Sequence, residues 1–571
     1  MSQHPWIPHY AAGTRAEIDP IAYRHLPDMV RQSSARFASQ TAFTQCMPNG
    51  MDASLGYAQV ERLSDEFAAY LRHTLRLNQG DRVAVQLPNC LAYPVVAFGI
   101  LKAGCVLVNT NPLYTPREMI HQFNDSGARV LVIIDMFADR LPPVMAETGI
   151  ETVVTVGITE FFPLLSSTII RAVLRYVKKQ LPPVTVPHTG FQETLAAGRE
   201  SIAQGVDFAA YVEGIGLDSV AVLQYTGGTT GVSKGAMLSH RNLLANTAQM
   251  LEMNQRTLDT GTECVLTALP LYHIFAFTCN LLVFYQGGGW NVLIPSPRPP
   301  SNLRKAWEKY PVTWFSGVNT LFGALAAEPW LAQNRPKHLK MAVAGGMALQ
   351  GAVARRWTET SGTPVVEGYG LTEAAPVVSF NPLGRVKDGS IGIPLPSTEV
   401  RCVDDAGNRV GPGSPGELEV RGPQVMLGYW QRPDETARVI EDGWLHTGDV
   451  AVMDEEGYFR IVDRMKDMIL VSGFNVYPNE VEDRIADHPG VREVAVIGVP
   501  DERSGEVVKA FVVRRDPGLT EEAVVSHCRE TLAAYKVPKQ VEFRDELPKT
   551  PIGKILRKAL RVDPVAQGQA G

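Results

Sequence analysis

Short apolar runs alternate with helical patterns over the first two-fifths of the chain. The runs at residues 83–87, 106–109 and 130–134 are rich in Val, Leu and Ile, which favours buried strands. Between the first two runs, residues 93–102 follow a helical pattern that Gly104 closes. Strand, helix and strand at this spacing predict βαβ units and a parallel sheet.

The hydrophobic pattern changes from about residue 390 to residue 462. Gly and Pro separate short alternating runs there, such as residues 417–421 and 457–462, which predicts an antiparallel, barrel-like subdomain. Beyond residue 462, helix and strand patterns alternate again, with apolar runs at 494–499 and 507–513. This stretch is long enough for a small separate α+β domain.

One apolar run, residues 265–285, is long enough to raise the question of a membrane helix. Pro270, His273 and Asn280 interrupt it, and three glycines follow it at 287–289. We therefore predict a buried helix.

Residues 161–181 read as a basic amphipathic helix. Four cations recur at i, i+4, i+7 and i+8 on one face: Arg171, Arg175, Lys178 and Lys179. Apolar residues fill the other faces. Such a helix either lies on an anionic membrane surface or packs its apolar side on the core and leaves a solvated basic face. The sequence leaves both interpretations open.

Composition narrows the class of protein. A chain of 571 residues predicts two or more domains. Its formal net charge of -6 argues against nucleic acid as the main partner. The seven cysteines are scattered and form no C-x-x-C pair, and the first ten residues lack the features of a secretory signal. We therefore expect reduced core cysteines in a cytoplasmic protein.

Residues 225–235 read YTGGTTGVSKG and suit a phosphate cradle, because glycines let backbone N–H groups turn toward a polyphosphate. The candidate ATP-binding residues are Thr226, Gly227, Gly228, Thr229, Thr230, Gly231 and Lys234. The segment is not a Walker A loop, in which the lysine directly follows a glycine and precedes Ser or Thr. The alternative is a flexible linker.

This segment resembles the phosphate-binding signature of the adenylate-forming superfamily, which includes acyl- and aryl-CoA synthetases, peptide-synthetase adenylation domains and firefly-type luciferases. Five further segments resemble the other signatures in the family's order. They are residues 269–275 (LPLYHIF), 367–373 (EGYGLTE), 444–449 (WLHTGD), 463–469 (DRMKDMI) and 548–554 (PKTPIGK). Six matches in register are strong evidence. Met465 departs from the pattern, since close relatives often carry Lys there.

The resemblance implies an α/β fold with a large N-terminal domain at 1–462, made of parallel α/β subdomains and a distorted antiparallel β-barrel at roughly 385–462. A hinge at 463–469, with Asp463 and Lys466, would join it to a small α+β lid domain at 470–571.

The resemblance also implies three catalytic residues. Lys554 would reach the α-phosphate and the carboxylate during adenylation, Glu373 would bind Mg²⁺ together with Thr226, and His273 would lie at the end of the acyl pocket. A helix-opening role is the alternative for Glu373, and a satisfied core histidine is the alternative for His273.

Further residues are expected to bind ATP and coenzyme A. Glu367, Tyr369, Gly370 and Thr372 belong to the adenine motif, and Asp449 and Arg464 would contact the ribose. A structural Asp449–Arg464 ion pair is the alternative and is compatible with that role. Ser472, Gly473 and Phe474 resemble the turn that contacts the pantetheine of CoA.

Residues 422–433 and 471–482 look most like bacterial long-chain fatty acyl-CoA synthetases. This implies a fatty acid, ATP, Mg²⁺ and coenzyme A as ligands, with AMP and pyrophosphate as products. Medium-chain or aryl-CoA ligases, a fatty acyl-AMP ligase and a non-catalytic acyl- or nucleotide-binding regulator stay as alternatives. We expect no nucleic acid partner, allow for a homodimer, and place any membrane contact at 161–181, on the inner face of the cytoplasmic membrane.

Overall fold

The computed structural model describes residues 4–226, 233–501, 503–550 and 553–562. Over these residues the strands form four sheets, two of them largely parallel and one wholly antiparallel, and the fourth belongs to a small C-terminal unit. The predicted α/β class is confirmed.

The largest sheet has nine strands within the described part of the chain. In spatial order they are Ile393–Pro394, Val377–Phe380, Val365–Gly370, Met341–Ala344, Trp314–Gly317, Cys264–Thr267, Trp290–Leu293, Thr41–Cys46 and Asp52–Gly56. The central strands pair in parallel, whereas the outer pairs at both edges are antiparallel.

The second sheet contains the βαβ units that the sequence predicts. Its seven described strands are, in spatial order, Thr189–Gly190, Thr152–Val156, Ala128–Ile134, Arg82–Gln86, Val106–Asn109, Val220–Thr226 and Lys234–Ser239. The pairs are parallel except the last, which is antiparallel. Helix Ala92–Lys102 is buried along its whole length, which explains its nearly continuous apolar sequence.

Helices cover the sheets and join their strands. The described α-helices of six residues or more are Leu26–Arg36, Tyr57–Ala69, Ala92–Lys102, Pro116–Ser126, Leu141–Glu147, Leu164–Ala172, Phe191–Ala203, His240–Met253, Arg304–Lys309, Asn319–Ala326, Gly351–Ser361, Pro433–Val439, Pro478–Ala486, Glu521–Arg529 and Arg557–Val562.

The remaining two sheets follow in sequence. Strands Glu399–Val403, Pro415–Arg421, Ile440–Glu441, Trp444–Met453 and Phe459–Arg464 pair antiparallel, as the alternating pattern predicts. The C-terminal sheet comprises Ile469–Val471, Phe474–Val476, Val491–Asp501, Gly505–Arg514 and Gln540–Arg544, with helix Pro478–Ala486 packed on it. The connection between the two sheets is a short turn, Met465–Asp467.

The prediction for residues 265–285 is only partly right. The run is buried, but its first part is the strand Cys264–Thr267, which pairs in parallel with strands on both sides. The helical part begins only at Ile274 and includes a π-helical turn at Phe277–Leu282. Pro270 lies in the connection, where it interrupts no ladder bond.

The basic segment forms helix Leu164–Ala172 and a π-helical turn, Val173–Val177. Only Ile170 and Leu174 of these residues are buried, while Leu164 is 85% exposed and Val177 74%. Ile170 and Leu174 belong to the hydrophobic core, so the helix has a core-facing side, but that side is narrow and most of the apolar residues are exposed. Over the residues that the structure describes, we find no helix that combines the length and the apolar character needed to span a membrane.

Candidate active site

A cavity lies at the carboxyl ends of the parallel strands in the nine-stranded sheet. Gly346 enters it just after strand Met341–Ala344, Thr372 just after Val365–Gly370, and His273 from the loop that follows a third strand. Carboxyl ends of parallel strands are the usual ligand-binding edge of α/β proteins. The strand order therefore brings together motifs that are far apart in sequence.

The inner part of this cavity is apolar. Its walls include Met250, Leu258, Cys279, Val283, Phe284 and Trp314. The π-helical turn Phe277–Leu282 supplies Cys279 and also Asn280, whose side chain bonds to Thr267 and Ser316 and is thereby satisfied. This end suits a hydrocarbon, because most of its lining is apolar, although the buried Nε1 of Trp314 has no hydrogen-bond partner among the described residues.

Lys554 lies at the opposite, polar end of the cavity. Its side chain packs against Gly346, and the carbonyl of the preceding Gly553 accepts a hydrogen bond from Thr320 Oγ1 at 3.0 Å. Burial, followed by the charge of Arg464, lowers the pKa of Lys554 to about 8. A lysine in this place is still mostly cationic at neutral pH.

His273 lines the same cavity as Lys554. Its Nδ1 accepts the backbone N–H of Phe275 at 3.3 Å, at the start of the short helix Ile274–Ala276. Burial, and then the charge of Lys554, lower the pKa of His273 to about 3. His273 is thus a neutral histidine that faces the cavity, as an acyl-pocket residue would. One of its ring nitrogens already has a hydrogen-bond partner, as in a satisfied core histidine, so both interpretations hold in part.

The two ends of the glycine-rich segment are strands rather than loop. Thr226 ends strand Val220–Thr226 and pairs directly with Lys234, the first residue of Lys234–Ser239. The Ser233 hydroxyl donates to the Thr226 carbonyl at 2.7 Å. The predicted loop at 225–235 is therefore too long at both ends, because antiparallel pairing extends the strands. Gly227, Gly228, Thr229, Thr230 and Gly231 lie outside the described residues.

Lys234 and Glu373 meet around a tyrosine that the sequence reasoning missed. The Tyr429 hydroxyl donates to Glu373 Oε1 at 2.7 Å, and Lys234 Nζ lies 5.2 Å from the centre of its ring. Lys234 also forms an ion pair of 2.5 Å with Glu435. Tyr429 belongs to the stretch 422–433 singled out for its resemblance, which was the available signal.

Backbone pairing explains how Tyr429 arrives there. The Trp430 N–H donates to the Gly235 carbonyl at 2.8 Å, and the Met237 N–H donates to the Gly428 carbonyl at 2.9 Å. The segment thus adds to strand Lys234–Ser239, beside the turn Thr372–Ala374 that carries Glu373. That turn is a single 3₁₀ turn, so Glu373 does not open a longer helix.

Asp449 and Arg464 are cross-strand partners. Arg464 Nε lies 3.4 Å from Asp449 Oδ1, and the Tyr369 hydroxyl donates to Asp449 Oδ2 at 2.6 Å. The structure thus contains the Asp449–Arg464 ion pair, next to a tyrosine of the adenine motif. Contact with a ribose stays a prediction.

Glu367 and Gly370 have structural roles in the adenine motif. Glu367 Oε1 accepts the Leu349 N–H at 3.1 Å, and burial raises the pKa of its carboxyl to about 8. A Cβ on Gly370 would lie 2.2 Å from the carbonyl oxygen of Pro376, so no side chain fits there.

The residues predicted to contact CoA lie elsewhere. Ser472 and Gly473 form the turn between strands Ile469–Val471 and Phe474–Val476, both with positive φ. Phe474 is 57% exposed and stacks on Tyr535, with ring centres 4.9 Å apart. None of the three is among the residues that line the cavity.

Comparison with known proteins identifies the family and several relatives of this chain. A family model described as AMP-binding enzyme matches residues 30–430, and one described as AMP-binding enzyme C-terminal domain matches residues 480–554. The chain is 51% identical over 557 residues to a long-chain-fatty-acid–CoA ligase from Escherichia coli O157:H7, covering 97% of each chain. It is 38% identical to a feruloyl-CoA synthase from an Amycolatopsis species, covering 89% of this chain and 94% of that one. Among solved structures, ATP-bound MatB from Rhodopseudomonas palustris matches with a TM-score of 0.79 and 30% identity over 94% of this chain and 98% of that one.

Proposed function

This chain belongs to the AMP-binding enzyme family, and from that premise we propose that it is a long-chain fatty acyl-CoA synthetase. It first joins a fatty acid to ATP as an acyl adenylate, with release of pyrophosphate. It then transfers the acyl group to the thiol of coenzyme A, with release of AMP. The enzyme is therefore an acid–thiol ligase.

The polarity of the cavity is the main support for this proposal. One end is an apolar space bounded by Val283, Phe284 and Trp314, and the other end holds the half-buried ammonium of Lys554. A fatty acid has the same polarity, with a hydrocarbon tail and one anionic head. Burial of each CH₂ contributes about 0.8 kcal/mol, so a long tail gains more in such a cavity than a short one.

Adenylation brings two anions together, so the site has to neutralise charge and align the reacting oxygens. Lys554 is the cation that would hold the carboxylate and the α-phosphate side by side. Lys234 would leave Glu435 to meet the outer phosphates. His273 is neutral and would orient the carboxylate without adding charge.

The residues present fit a magnesium ion. Glu373 and Thr226 offer the hard oxygen ligands that Mg²⁺ prefers, and Tyr429 holds the Glu373 carboxylate in place. When bound, the ion would supply charge neutralisation at the phosphates. Asp449 would accept hydrogen bonds from the ribose hydroxyls, and Tyr369 would pack on the adenine.

The second half-reaction needs a different arrangement of the lid. Ser472, Gly473 and Phe474 would guide the pantetheine, but they lie away from the cavity that Lys554 occupies here. A rotation of the lid about the hinge segment, which contains Asp463 and Lys466, would replace Lys554 at the cavity by the CoA-binding turn, a rigid-body motion of a known type.

Helix Leu164–Ala172 with its following turn is the proposed membrane contact. Leu164, Leu165 and Tyr176 are each at least 75% exposed, and exposed Lys178 and Lys179 follow them. Apolar residues beside basic ones suit the surface of an anionic bilayer. This contact would place the enzyme at the inner face of the cytoplasmic membrane.

Vesicle sedimentation tests this contact. We expect binding to vesicles of phosphatidylglycerol and phosphatidylcholine but not to phosphatidylcholine alone. The double variant L164Q/L165Q should bind about tenfold more weakly or worse, since two leucine side chains lose their burial. L383Q, which changes an exposed leucine elsewhere, is the matched control. Equal binding by wild type and L164Q/L165Q would refute the contact.

The main experiment incubates the purified protein with ATP, Mg²⁺ and acids from acetate to oleate, with and without CoA. We expect CoA-dependent acyl-CoA and AMP, with the highest kcat/KM for long chains. A maximum at short or aromatic acids would favour a medium-chain or aryl-CoA ligase. Acyl-AMP that accumulates despite CoA would indicate an acyl-AMP ligase, and no AMP from any acid would indicate a binding protein. Light scattering tests the homodimer, which stays a prediction.

A further inference from the structure

One arginine ties the Lys554 segment to the start of the lid. Arg557 lies three residues after Lys554. Its Nε and Nη2 bond to the two Glu482 oxygens at 3.0 and 2.7 Å, and Nη2 also donates to Asn479 Oδ1 at 2.6 Å. Nη1 lies 3.4 Å from Asp463 Oδ1. A planar, forked guanidinium suits this set of acceptors, whereas an ammonium does not.

Asp463 connects this cluster to the antiparallel sheet that precedes the connecting turn. Its side chain is fully buried, and it lies on strand Phe459–Arg464 of the antiparallel sheet. Its Oδ2 accepts the backbone N–H of Asn479 at 2.8 Å. That N–H belongs to the first turn of helix Pro478–Ala486, whose own N-cap residue makes no side-chain bond. A carboxylate on the last strand of the antiparallel sheet therefore caps helix Pro478–Ala486 of the proposed lid.

The cluster depends on the orientation of the lid. Asp463 precedes the connecting turn Met465–Asp467 and is paired into the antiparallel sheet, whereas Asn479 and Arg557 follow the turn. A rotation about that turn separates the Asp463 carboxylate from both of its lid partners. Asp463 Oδ1 keeps the Arg464 N–H, which donates to it at 2.7 Å, but a buried carboxylate that loses its other donors still carries a free-energy cost. The contacts consequently favour the orientation in which Lys554 fills the cavity.

We propose that Arg557 is a positioning residue for adenylation: together with Asp463 it fastens the Lys554 segment in the orientation shown, and this contact has to break before acyl transfer. The inference rests on the proposed function, because it takes Lys554 as the adenylation residue and a lid that turns between the half-reactions.

The test measures the two half-reactions separately. Pyrophosphate release in a single turnover without CoA reports adenylation, and acyl-CoA formation from preformed palmitoyl adenylate reports transfer. R557Q should slow adenylation by about 30- to 100-fold, since a misplacement of about 1 Å has effects of that order. Transfer should change by less than about threefold, because the contact is absent in that step. R557K should fall between wild type and R557Q in adenylation.

Two further variants keep the test decisive. K558Q removes an exposed cation from the neighbouring position and should leave both half-reactions unchanged. D463N is isosteric and should lower adenylation in the same selective way as R557Q, so it carries the test if R557Q does not fold. Equal losses in both half-reactions, or no loss in either, overturn the inference. K554A that retains adenylation would refute the proposed role of Lys554, whereas inactive K554A with active R557Q overturns only the positioning role.

Discussion

Lys554 has to enter a water-poor cavity and keep its charge, and these two demands oppose each other. Burial disfavours the ammonium and lowers its pKa to about 8, close to neutral pH. The lysine therefore loses its proton as the pH rises through about 8, well below the ordinary range for lysine.

A pKa of about 8 for Lys554 predicts that the rate of adenylation falls at alkaline pH. In the absence of CoA, kcat/KM for pyrophosphate release should be level below pH 7 and fall about tenfold per pH unit above pH 8, since it reports the free enzyme. Bound ATP is anionic and should move the corresponding limb of kcat to higher pH. A flat kcat/KM profile up to pH 9.5 would contradict the role of Lys554 as an essential cation.

A second prediction concerns Tyr429, which holds the candidate magnesium ligand Glu373. Y429F removes one hydrogen bond to a carboxylate, and we expect KM for MgATP to rise about tenfold, in line with the value of such a bond. KM for the fatty acid should not change. Y10F, which removes a buried hydroxyl bond to the Pro394 carbonyl in another part of the molecule, is the matched control. A rise in the fatty acid KM with Y429F would point to a general distortion instead.

At the scale of elements, the π-helical turn Phe277–Leu282 shapes the apolar end of the cavity. An extra residue in one turn shifts the side chains that follow, and such turns are frequent at functional sites. Here the turn presents Cys279 to the cavity and directs Asn280 to Thr267 and Ser316.

Filling this space should shorten the preferred acid. C279F puts a ring where the far end of a chain would lie, so kcat/KM for long acids should fall by about fourfold for each methylene that is no longer buried, from 0.8 kcal/mol per CH₂. Short acids should react as before. C279S removes the thiol with little change in volume and serves as the control. A uniform loss across all chain lengths would show that the substitution disturbs the fold rather than the length limit.

Elements with their own periodic signal could be predicted from the sequence, with small errors at their ends. The run at 83–87 is strand Arg82–Gln86, and the helical pattern at 93–102 is helix Ala92–Lys102. Errors arose where tertiary pairing overrides local composition. Thr226 and Lys234 look like loop residues beside glycine, yet they pair with each other as strand residues.

The site was predictable where a motif marks it, but the contacts within it were not. Lys554, His273 and Thr372 meet in one cavity, as the motifs imply. The bond between Tyr429 and Glu373 joins residues that are 56 positions apart, and no local periodicity encodes such a pair. The sequence also left open whether the apolar residues of helix Leu164–Ala172 face the core or the surface, because periodicity shows that an apolar face exists but not what covers it.

At the scale of the whole molecule, one orientation of the lid serves only one half of the proposed reaction. Lys554 lies in the cavity while Phe474 of the lid remains exposed. If the lid turns between half-reactions, fixing it in place should separate them. The domain boundary and the rotation stay predictions until this is tested.

A crosslink between the domains provides the test. Arg355 on helix Gly351–Ser361 and Asp487 of the lid form an exposed ion pair of 2.7 Å, and the seven native cysteines are all buried. The variant R355C/D487C therefore offers two accessible thiols that a short, cleavable bismaleimide can join. The crosslinked enzyme should retain adenylation within about threefold and lose acyl transfer by on the order of 100-fold, because the rigid-body rotation is blocked.

Cleavage of the linker should restore transfer, and the single variants R355C and D487C, treated with the same reagent, should keep both activities. Loss of both half-reactions in the crosslinked protein would mean that the reagent or the linker distorts the cavity. The singly labelled variant R355C shows whether the reagent alone causes the loss. Transfer that survives a complete crosslink would refute the rotating lid. CoA would then have to reach the acyl adenylate with Lys554 still in place, and Ser472, Gly473 and Phe474 would lose their proposed role in guiding the pantetheine.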